Sequence, residues 1–293
     1  MRNSPPVIRK PSARPDMEAS LKAGNKKESE IDEEWLQVDV NVKEKRVDGV
    51  LRIVLISDTH NRHRMLDMPE GDILIHAGDF TNNGTEQEIK DFDSWLASLD
   101  YKHKIVVPGN HDTGTDKKAL RRNNDNMEVT DVANAIVLRG EMVEVMGVRV
   151  FGFPDTIDLG CAWWAYGANS EEELKERAAG GIPSSGVDIL VSHSPPWMIG
   201  DVSRSGKHCG SPGLREVVLN GNQLPPKLWA FGHVHECGGR AYRAEGAETL
   251  MVNAASFLRS AEGLRPAMVV DICKETKAVL GGTAAPGQLG ATC

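Results

Sequence analysis

Cysteine is scarce in this chain of 293 residues, which contains five. They are Cys161, Cys209, Cys237, Cys273 and Cys293. No two of them form a Cys-x-x-Cys pair, and an odd, scattered set fits neither a disulfide framework nor a zinc knuckle. We therefore expect a protein of a reducing compartment and predict a cytoplasmic location.

Long apolar runs and an excess of positive charge are also absent. No stretch approaches the roughly 20 apolar residues of a membrane-spanning helix, and the N-terminus lacks the apolar segment of a secretion signal. Lys and Arg number 34 against 42 Asp and Glu, which gives a net charge of -8 at pH 7. Since general nucleic-acid binding needs clustered positive charge, the composition predicts neither a membrane nor a general nucleic-acid partner. A small phosphate ester is compatible with it, and the oligomeric state is left open.

Composition divides the chain into one domain and two ends. Residues 1–45 are predicted to be a disordered, charged tail, because most of this segment is rich in Pro, Lys, Glu and Ser and poor in residues that fill cores. Residues 281–293 are rich in Gly and Ala and are predicted to be a flexible C-terminal end. The remaining residues, 46–280, are enough for one domain with a large core.

The domain alternates between short apolar runs and helical periodicity. Apolar residues recur every three or four positions over residues 85–99, behind a Thr85-x-x-Glu88 capping box, and predict an amphipathic helix. A second box, Ser170-x-x-Glu173, opens a helix that reaches about Ala179, and residues 213–220 form a shorter candidate.

Closely spaced strands predict a second sheet. Residues 136–138, 142–146 and 148–153 have strand patterns, with Gly140 and Gly147 at the turns between them. Hairpins of this kind, beside helix-separated strands, favour an α/β fold. We predict a four-layer α/β/β/α sandwich of two mixed sheets.

Five polar motifs follow apolar runs that are short enough to be buried strands. They are Asp58-Thr59-His60, Gly78-Asp79, Gly109-Asn110-His111-Asp112, Ser192-His193 and Gly232-His233-Val234-His235. Side chains at the C-terminal ends of strands meet at one edge of an open α/β sheet, where binding sites lie. The motifs therefore predict a single site at that edge.

The residue types in these motifs suit a pair of metal ions. Two ions about 3.5 to 4 Å apart need a carboxylate that bridges them, and Asp79 is the natural bridge. Asp58 and His60 point to the same face because they are two residues apart on one strand end. A mixed nitrogen and oxygen set without sulfur favours Mn, Fe, Zn, Co or Ni over Cu(I), and abundant imidazole disfavours Ca or Mg. We expect two divalent or trivalent ions, with Mn favoured.

The motifs DTH, GD, GNHD, SH and GHVH, in this order, resemble the signature of the calcineurin-like metallophosphoesterases over about residues 50–272. The resemblance implies the same α/β/β/α sandwich with a two-metal site at the C-terminal ends of the strands. One ion would be held by Asp58, His60, Asp79 and His235, and the other by Asp79, Asn110, His193 and His233. His111 would then be the catalytic histidine, which stabilises charge or protonates the leaving oxygen. We expect Asp112 to orient its ring.

The segments His193-Ser194-Pro195-Pro196 and Gly232-His233-Val234-His235-Glu236 are most similar to the branch of the metallophosphoesterase-domain proteins. That branch includes cyclic-nucleotide phosphodiesterases, and here both histidines of the double-histidine motif are present. The resemblance implies a hydrolase of small phosphodiesters, cyclic nucleotides first among them, that acts by in-line attack of a metal-bound hydroxide.

Two other functions stay open. Protein Ser/Thr phosphatases continue their GD motif as GDxxDRG, whose arginine binds phosphate. Here Asp79 is followed by Phe-Thr-Asn-Asn-Gly, which places a phosphomonoesterase or protein phosphatase second. A non-catalytic scaffold of the same fold is the third possibility, but a scaffold would be expected to have lost His111 or several metal ligands.

Five residues are candidate substrate contacts. Arg62 follows the first ligands and could bind phosphate, although a solvated loop is the alternative. Asn82 stands where phosphodiesterase-type relatives carry an asparagine. Trp163, Trp164 and Trp197 could stack on a base, or could be ordinary core aromatics.

Overall fold

The computed structural model describes residues 35–38, 48–122, 128–158, 164–221, 224–244, 247–259 and 263–280. The predicted flexible end at residues 281–293 and most of the predicted tail lie outside these residues. The strands are β1 (Trp35–Val38), β2 (Val50–Ile56), β3 (Ile73–His76), β4 (His103–Val106), β5 (Ile136–Val137), β6 (Met142–Val145), β7 (Val148–Phe153), β8 (Thr156–Ile157), β9 (Gly167–Ala168), β10 (Ile189–Ser192), β11 (Leu228–Phe231), β12 (Arg240–Ala244), β13 (Leu250–Asn253), β14 (Met268–Cys273) and β15 (Val279–Leu280). The α-helices are α1 (Glu86–Ala97), α2 (Lys117–Arg122), α3 (Glu171–Gly181) and α4 (Pro212–Arg215).

The strands form two large mixed sheets and one small one. The first large sheet has the order β15-β14-β2-β3-β4-β5, and the second has the order β1-β12-β13-β11-β10-β7-β6. In the first, β2 to β5 are parallel, while β14 pairs antiparallel with β2. In the second, β7, β10, β11 and β13 are parallel. The strands β8 and β9 pair separately.

Alternation along the strands builds a layered core. Residues 51, 53 and 55 of β2 face the second sheet and share a buried cluster with Ile189 and Val191 of β10. Residues 54 and 56 face the other way and pack with Phe92 and Trp95 of α1. On the far side, α3 and α4 cover the seven-stranded sheet through a third cluster. Because each sheet has one face toward the other sheet and one toward helices, the predicted four-layer α/β/β/α sandwich is confirmed.

The helix starts follow their capping residues. Thr85 and Glu88 make both bonds of the predicted capping box at the start of α1. Ser170 accepts a hydrogen bond from the Glu173 amide at the start of α3, but the Glu173 carboxylate bonds to Asn169 instead. The third predicted helix is divided into α4 and a π-helical segment, Glu216–Asn220.

The strand β1 corrects the predicted tail. It pairs antiparallel with β12, from Trp35 opposite Ala244 to Val38 opposite Ala241. The prediction of disorder over residues 1–45 is therefore wrong for these four residues. Their composition is rich in apolar residues, and the edge of the seven-stranded sheet supplies backbone partners that the local sequence does not reveal.

The helices and the cysteines can be compared with what the composition predicts. Among the described residues, no helix has both the length and the apolar character needed to cross a membrane. Cys209 and Cys237 are free thiols, but Cys273 is disulfide-bonded. Spacing along the chain does not tell which cysteines the fold brings together, and the predicted reducing compartment stays a prediction.

Candidate metal centre

Both sheets contribute side chains to one group of metal-binding residue types. Asp58 and His60 follow β2, Asp79 follows β3, and Asn110 follows β4 in the six-stranded sheet. His193 follows β10, and His233 and His235 follow β11, in the seven-stranded sheet. All these strands are parallel within their sheets, so the polar side chains collect at their C-terminal ends.

The backbone leaves these strands in an unusual conformation. Asp58, His60, Asp79 and His233 have φ angles of 52°, 43°, 56° and 68°, in the left-handed region that residues with a Cβ rarely adopt. Such a conformation costs on the order of 1 kcal/mol or more for each residue. The clustering of strain at four residues of one group indicates a functional constraint on where their side chains point.

Glycines allow the strand ends to approach one another closely. A Cβ at Gly109 would lie 2.3 Å from Asp79 Oδ1, and a Cβ at Gly232 would lie 2.2 Å from Asp58 Oδ2. Neither distance is compatible with a side chain. In these two motifs, the glycine that precedes the predicted ligand is thus required by packing against a carboxylate from another strand.

Asp58, His60 and His235 form the first cluster. Their ligand atoms lie within 4.8 Å of one another. Asp58 Oδ1 lies 3.1 Å from His235 Nε2, which lies 3.2 Å from His60 Nε2. His60 Nδ1 lies 3.1 Å from the carbonyl oxygen of Thr81, so its other ring nitrogen faces the cluster.

Asp79, His193 and His233 form the second cluster, with the same 4.8 Å limit. Asp79 Oδ2 lies 3.3 Å from His193 Nε2, and Asn110 Oδ1 lies 3.0 Å from the same nitrogen. Asp79 also clusters with His60 and His111, and its Oδ2 lies 3.9 Å from His60 Nε2. Asp79 therefore stands between the two groups.

In this buried group, the charge of each residue changes the pKa values of its neighbours. Burial by itself would raise the pKa of Asp79, but the charge and hydrogen bond of His193 hold it well below the usual value. Burial disfavours the charged form of His193, but the charge and hydrogen bond of Asp79 favour it more strongly. Together they raise the pKa of His193 to about 9. Burial, followed by the charge of His193, lowers the pKa of His233 to about 4. Ionised carboxylates at the centre thus attract positive charge.

The donor set fits two metal ions of the kind expected from the sequence. Each cluster offers imidazole nitrogen and carboxylate oxygen, and none of the described donors is a thiolate. Carbonyl oxygens lie at the outer ring nitrogens of two histidines, 3.1 Å from His60 and 2.8 Å from His193. Such partners orient imidazoles that bind metals.

His111 lies at the open side of the group. Its amide donates to Asp79 Oδ1 at 2.9 Å, and its ring is 4.9 Å from that of His60. His111 Nδ1 lies 2.7 Å from the carbonyl oxygen of Asn82. A carbonyl at this nitrogen favours the tautomer with the hydrogen on Nδ1.

The structure contradicts the predicted role of Asp112. Its Oδ2 accepts from the amides of Asp79 and Gly109, and its Oδ1 accepts from the amide and hydroxyl of Thr81. Burial and then the charge of Asp79 raise the pKa of Asp112 to about 7. Asp112 therefore joins two loops by accepting from three backbone amides and the Thr81 hydroxyl, whereas the ring of His111 is oriented by the Asn82 carbonyl. The expectation failed because the side chains of His111 and Asp112, although adjacent in sequence, contact different groups.

Two of the predicted substrate contacts lie beside the clusters. The Arg62 guanidinium carbon is 4.8 Å from the centre of the Phe257 ring, and that ring is 5.2 Å from His60. The Trp164 ring is 6.1 Å from His111 and 6.2 Å from His233.

The other predicted contacts are placed differently. Asn82 is exposed, and its carbonyl is the partner of His111. Trp197 packs 6.0 Å from the ring of His208, on the segment after β10. Trp163 lies outside the described residues. Substrate contact by these three stays a prediction.

Sequence reasoning missed two residues that support the site. Phe257 contacts His60 and also His235, at 4.9 Å between ring centres. The Asn253 amide group donates to the carbonyls of Gly200 at 2.8 Å and Val234 at 3.1 Å, which fixes the loop that carries His235. Asn253 could have been found, because it ends the buried strand β13 beside β11. Phe257 had no such signal.

Comparison with known proteins agrees with this geometry. A family model described as calcineurin-like phosphoesterase matches residues 51–237. The chain belongs to the calcineurin-like phosphoesterase family. Membership implies a metal-dependent hydrolase of phosphate esters, and the matched residues contain all seven predicted metal ligands and His111.

Several named proteins are similar to this chain. The human and mouse proteins named metallophosphoesterase domain-containing protein 1 are each 33% identical over 246 residues, which are 76% of this chain and 72% of theirs. A protein of Arcobacter nitrofigilis named probable glycerophosphodiester phosphodiesterase GpdQ is 30% identical over 169 residues, which are 57% of this chain and 58% of that one. The resemblance to metallophosphoesterase-domain proteins is thus confirmed.

Proposed function

We propose that this protein hydrolyses small phosphodiesters with two metal ions, and that cyclic nucleotides are the first substrates to test. The observation that carries the proposal is the position of Asp79. Its carboxylate stands between the cluster of Asp58, His60 and His235 and the cluster of His193 and His233. A carboxylate in that place is what a two-metal hydrolase needs as a bridge.

Different residues of the chain have different roles in the proposed reaction. Asp58, His60, Asp79 and His235 would hold one ion, and Asp79, Asn110, His193 and His233 the other; Mn is favoured. Bound ions would supply Lewis acidity and lower the pKa of water toward about 7. The Asn82 carbonyl orients the ring of His111 through Nδ1. When the ring is protonated, its Nε2 would donate a hydrogen bond or a proton to an oxygen of the substrate. No covalent enzyme intermediate is needed.

The surroundings of Asp79 favour a diester over a phosphoprotein. In the segment after Asp79, the Phe80 ring is buried against Phe92, and Thr81 bonds to Asp112. This segment contributes no cation for the dianion of a phosphomonoester. A diester carries one charge fewer and leaves less need for such a residue. The name of the Arcobacter relative supports the same choice.

Arg62 and Trp164 are proposed to border the substrate. Arg62 lies on the face of Phe257, beside the first cluster, where it would meet a phosphate oxygen. The Trp164 ring lies near both His111 and His233, where it would contact the organic part of a substrate.

The test compares two model substrates. We expect Mn-loaded protein to hydrolyse bis-p-nitrophenyl phosphate with a higher kcat/KM than p-nitrophenyl phosphate. The reverse order would favour the second candidate, a phosphomonoesterase or protein phosphatase. Absence of turnover of either ester in protein shown to contain two ions would favour a non-catalytic scaffold.

A panel of 2′,3′- and 3′,5′-cyclic nucleotides then identifies the substrate. Metal content should be measured on the same samples, so that a missing activity is not confused with a missing ion. If bis-p-nitrophenyl phosphate is cleaved but every cyclic nucleotide is left intact, the diesterase proposal stands and the cyclic-nucleotide assignment is wrong.

A further inference from the structure

A cavity lined by cationic residues lies outside the metal centre. Its volume is about 480 Å³, and it is lined by Thr115, Asp116, Lys117, Lys118, Arg121, Val129 and Arg139. None of these residues is a predicted metal ligand or His111. The size is within the range of cavities that hold small organic ligands.

The charge of the cavity runs against that of the chain. The whole protein has a net charge of -8 at pH 7, yet the described residues that line the cavity include four cationic side chains and one carboxylate. The carboxylate, Asp116, accepts hydrogen bonds from the amides of Lys118 at 2.8 Å and Tyr166 at 3.0 Å. Among the described residues, none of the four cations has a salt-bridge partner, although the Arg139 side chain is hydrogen-bonded to Tyr166 and the charge of Lys118 acts on Asp155. Positive side chains therefore outnumber negative ones among the described residues of the cavity wall.

Arg139 is the feature that points most directly to an anion. Two of its guanidinium nitrogens, Nε and Nη2, are buried and have no hydrogen-bond partner in the described structure. Buried polar atoms are nearly always satisfied, so these two nitrogens call for an explanation, although the same guanidinium is hydrogen-bonded to Tyr166. Two oxygens of one phosphate group would satisfy both nitrogens, because the planar guanidinium binds phosphate through two parallel hydrogen bonds.

The cavity belongs to the same edge of the fold as the metal centre. Arg139 follows the end of β5, which is the next strand to β4, and β4 leads to the predicted ligand Asn110. Thr115 in the cavity wall donates to the carbonyl oxygen of Asp112 at 2.6 Å. The cavity is thus adjacent to the loop that carries His111 but separate from it.

We propose that this cavity binds the phosphate group of a small anionic ligand. Arg139 binds two phosphate oxygens through Nε and Nη2, and the exposed Lys117, Lys118 and Arg121 neutralise the remaining charge. The shared chemistry of free phosphate and of a phosphomonoester fits these residues. The cavity is larger than one phosphate group, so a phosphorylated small molecule fills it better. The proposal does not depend on the substrate of the metal centre.

Chemical modification tests the proposal in the metal-loaded, full-length protein. Phenylglyoxal reacts with exposed arginines, and peptide mass spectrometry reports each one separately. We expect inorganic phosphate to protect Arg121 several-fold in a saturable way, and to leave Arg64, which is half-exposed and pairs with Asp91, unchanged. Because the readout is specific to one residue, phosphate bound at the metal centre does not interfere.

Two variants and a second probe complete the test. Lys118→Gln should raise the half-protecting phosphate concentration at least threefold, whereas Lys90→Gln, at an exposed lysine of α1, should not change it. Protection by 5′-AMP at a lower concentration than phosphate would assign the site to a phosphomonoester, and equal concentrations would assign it to free phosphate. Equal modification of Arg121 with and without phosphate overturns the proposal. So does protection that Lys118→Gln leaves unchanged.

Discussion

At the scale of single residues, His111 is the position where metal binding and the proposed chemistry can be tested separately. Its amide bonds to Asp79, while its ring is held by a backbone carbonyl and belongs to the open side of the site. Replacing the ring with a methyl group keeps the amide. We expect His111→Ala to retain the metal content of the wild type and to lose turnover by about 10²- to 10⁴-fold, the range for a general acid.

Elemental analysis and kcat measured on the same preparation check this expectation. His103→Ala is the matched control, because His103 begins β4 at the opposite end of the strand from the site. Turnover of His111→Ala at the level of the control would show that the ring takes no part in the reaction.

His63 makes stability depend on pH. It is fully buried between Phe92 and Trp95, and burial lowers its pKa to about 4 from an ordinary value of 6.5. The folded state therefore favours the neutral ring, and the unfolded state binds the proton more readily. Its stabilising contribution is present above pH 6.5 and is lost as the pH falls toward 4.

The expected size of this loss is about 2 kcal/mol between pH 7 and pH 5, from the linkage relation. Urea unfolding at both pH values measures it. In His63→Gln the free energy of unfolding should fall less steeply between the same two values, although the variant is less stable at pH 7. Identical slopes for the two proteins would mean that His63 is not the group responsible.

At the scale of elements, the start of α1 depends on a reciprocal pair. The Thr85 hydroxyl accepts from the Glu88 amide, and the Glu88 carboxylate accepts from the Thr85 amide at 2.9 Å. Thr85→Ala removes the cap and should lower the free energy of unfolding by about 1 kcal/mol. Gln87→Ala, at an exposed position of the same turn, should leave it nearly unchanged, and chemical denaturation compares the two.

Elements that carry their own signal could be predicted from sequence. The capping box placed the start of α1, and polar residues at the ends of apolar runs placed Asp58, Asp79 and His233 together. Each of these signals is local, because it lies within a few residues of the feature it predicts.

Features that depend on distant partners could not be predicted in this way. The strand β1 forms because β12, about 200 residues later, offers a free edge. The carbonyl that orients His111 belongs to the loop after β3, and Asp112 is occupied by Asp79 and Thr81 of that same loop. Phe257 follows β13 of the second sheet, and its contact with His60 of the first sheet joins residues that are far apart in sequence.

At the scale of the whole molecule, metal binding should stabilise the fold. Asp58 and Asp79 are buried, and ions that bind the folded state alone shift the unfolding equilibrium by mass action. At 100 times the dissociation constant the gain is about 2.7 kcal/mol. For a domain of this size, that gain corresponds to a rise in Tm on the order of 5 to 10 °C.

Thermal unfolding with Mn, and again after a chelator is added, measures this shift. Asp79→Asn should reduce the shift strongly, because Asp79 is shared by both clusters, whereas Asp67→Asn, at an exposed position, should keep it. An equal rise in Tm for wild type and Asp79→Asn would place the metal elsewhere.

The two clusters also have a mechanical consequence, because each combines side chains from opposite sheets. Asp58 and His235 are 177 positions apart in sequence, and the layer of apolar side chains lies between the sheets that carry them. An ion held by both residues is a crosslink across that layer. The sheets could then not part without first releasing the ion, so the rate at which the metal leaves would set part of the lifetime of the folded state and of its resistance to proteases.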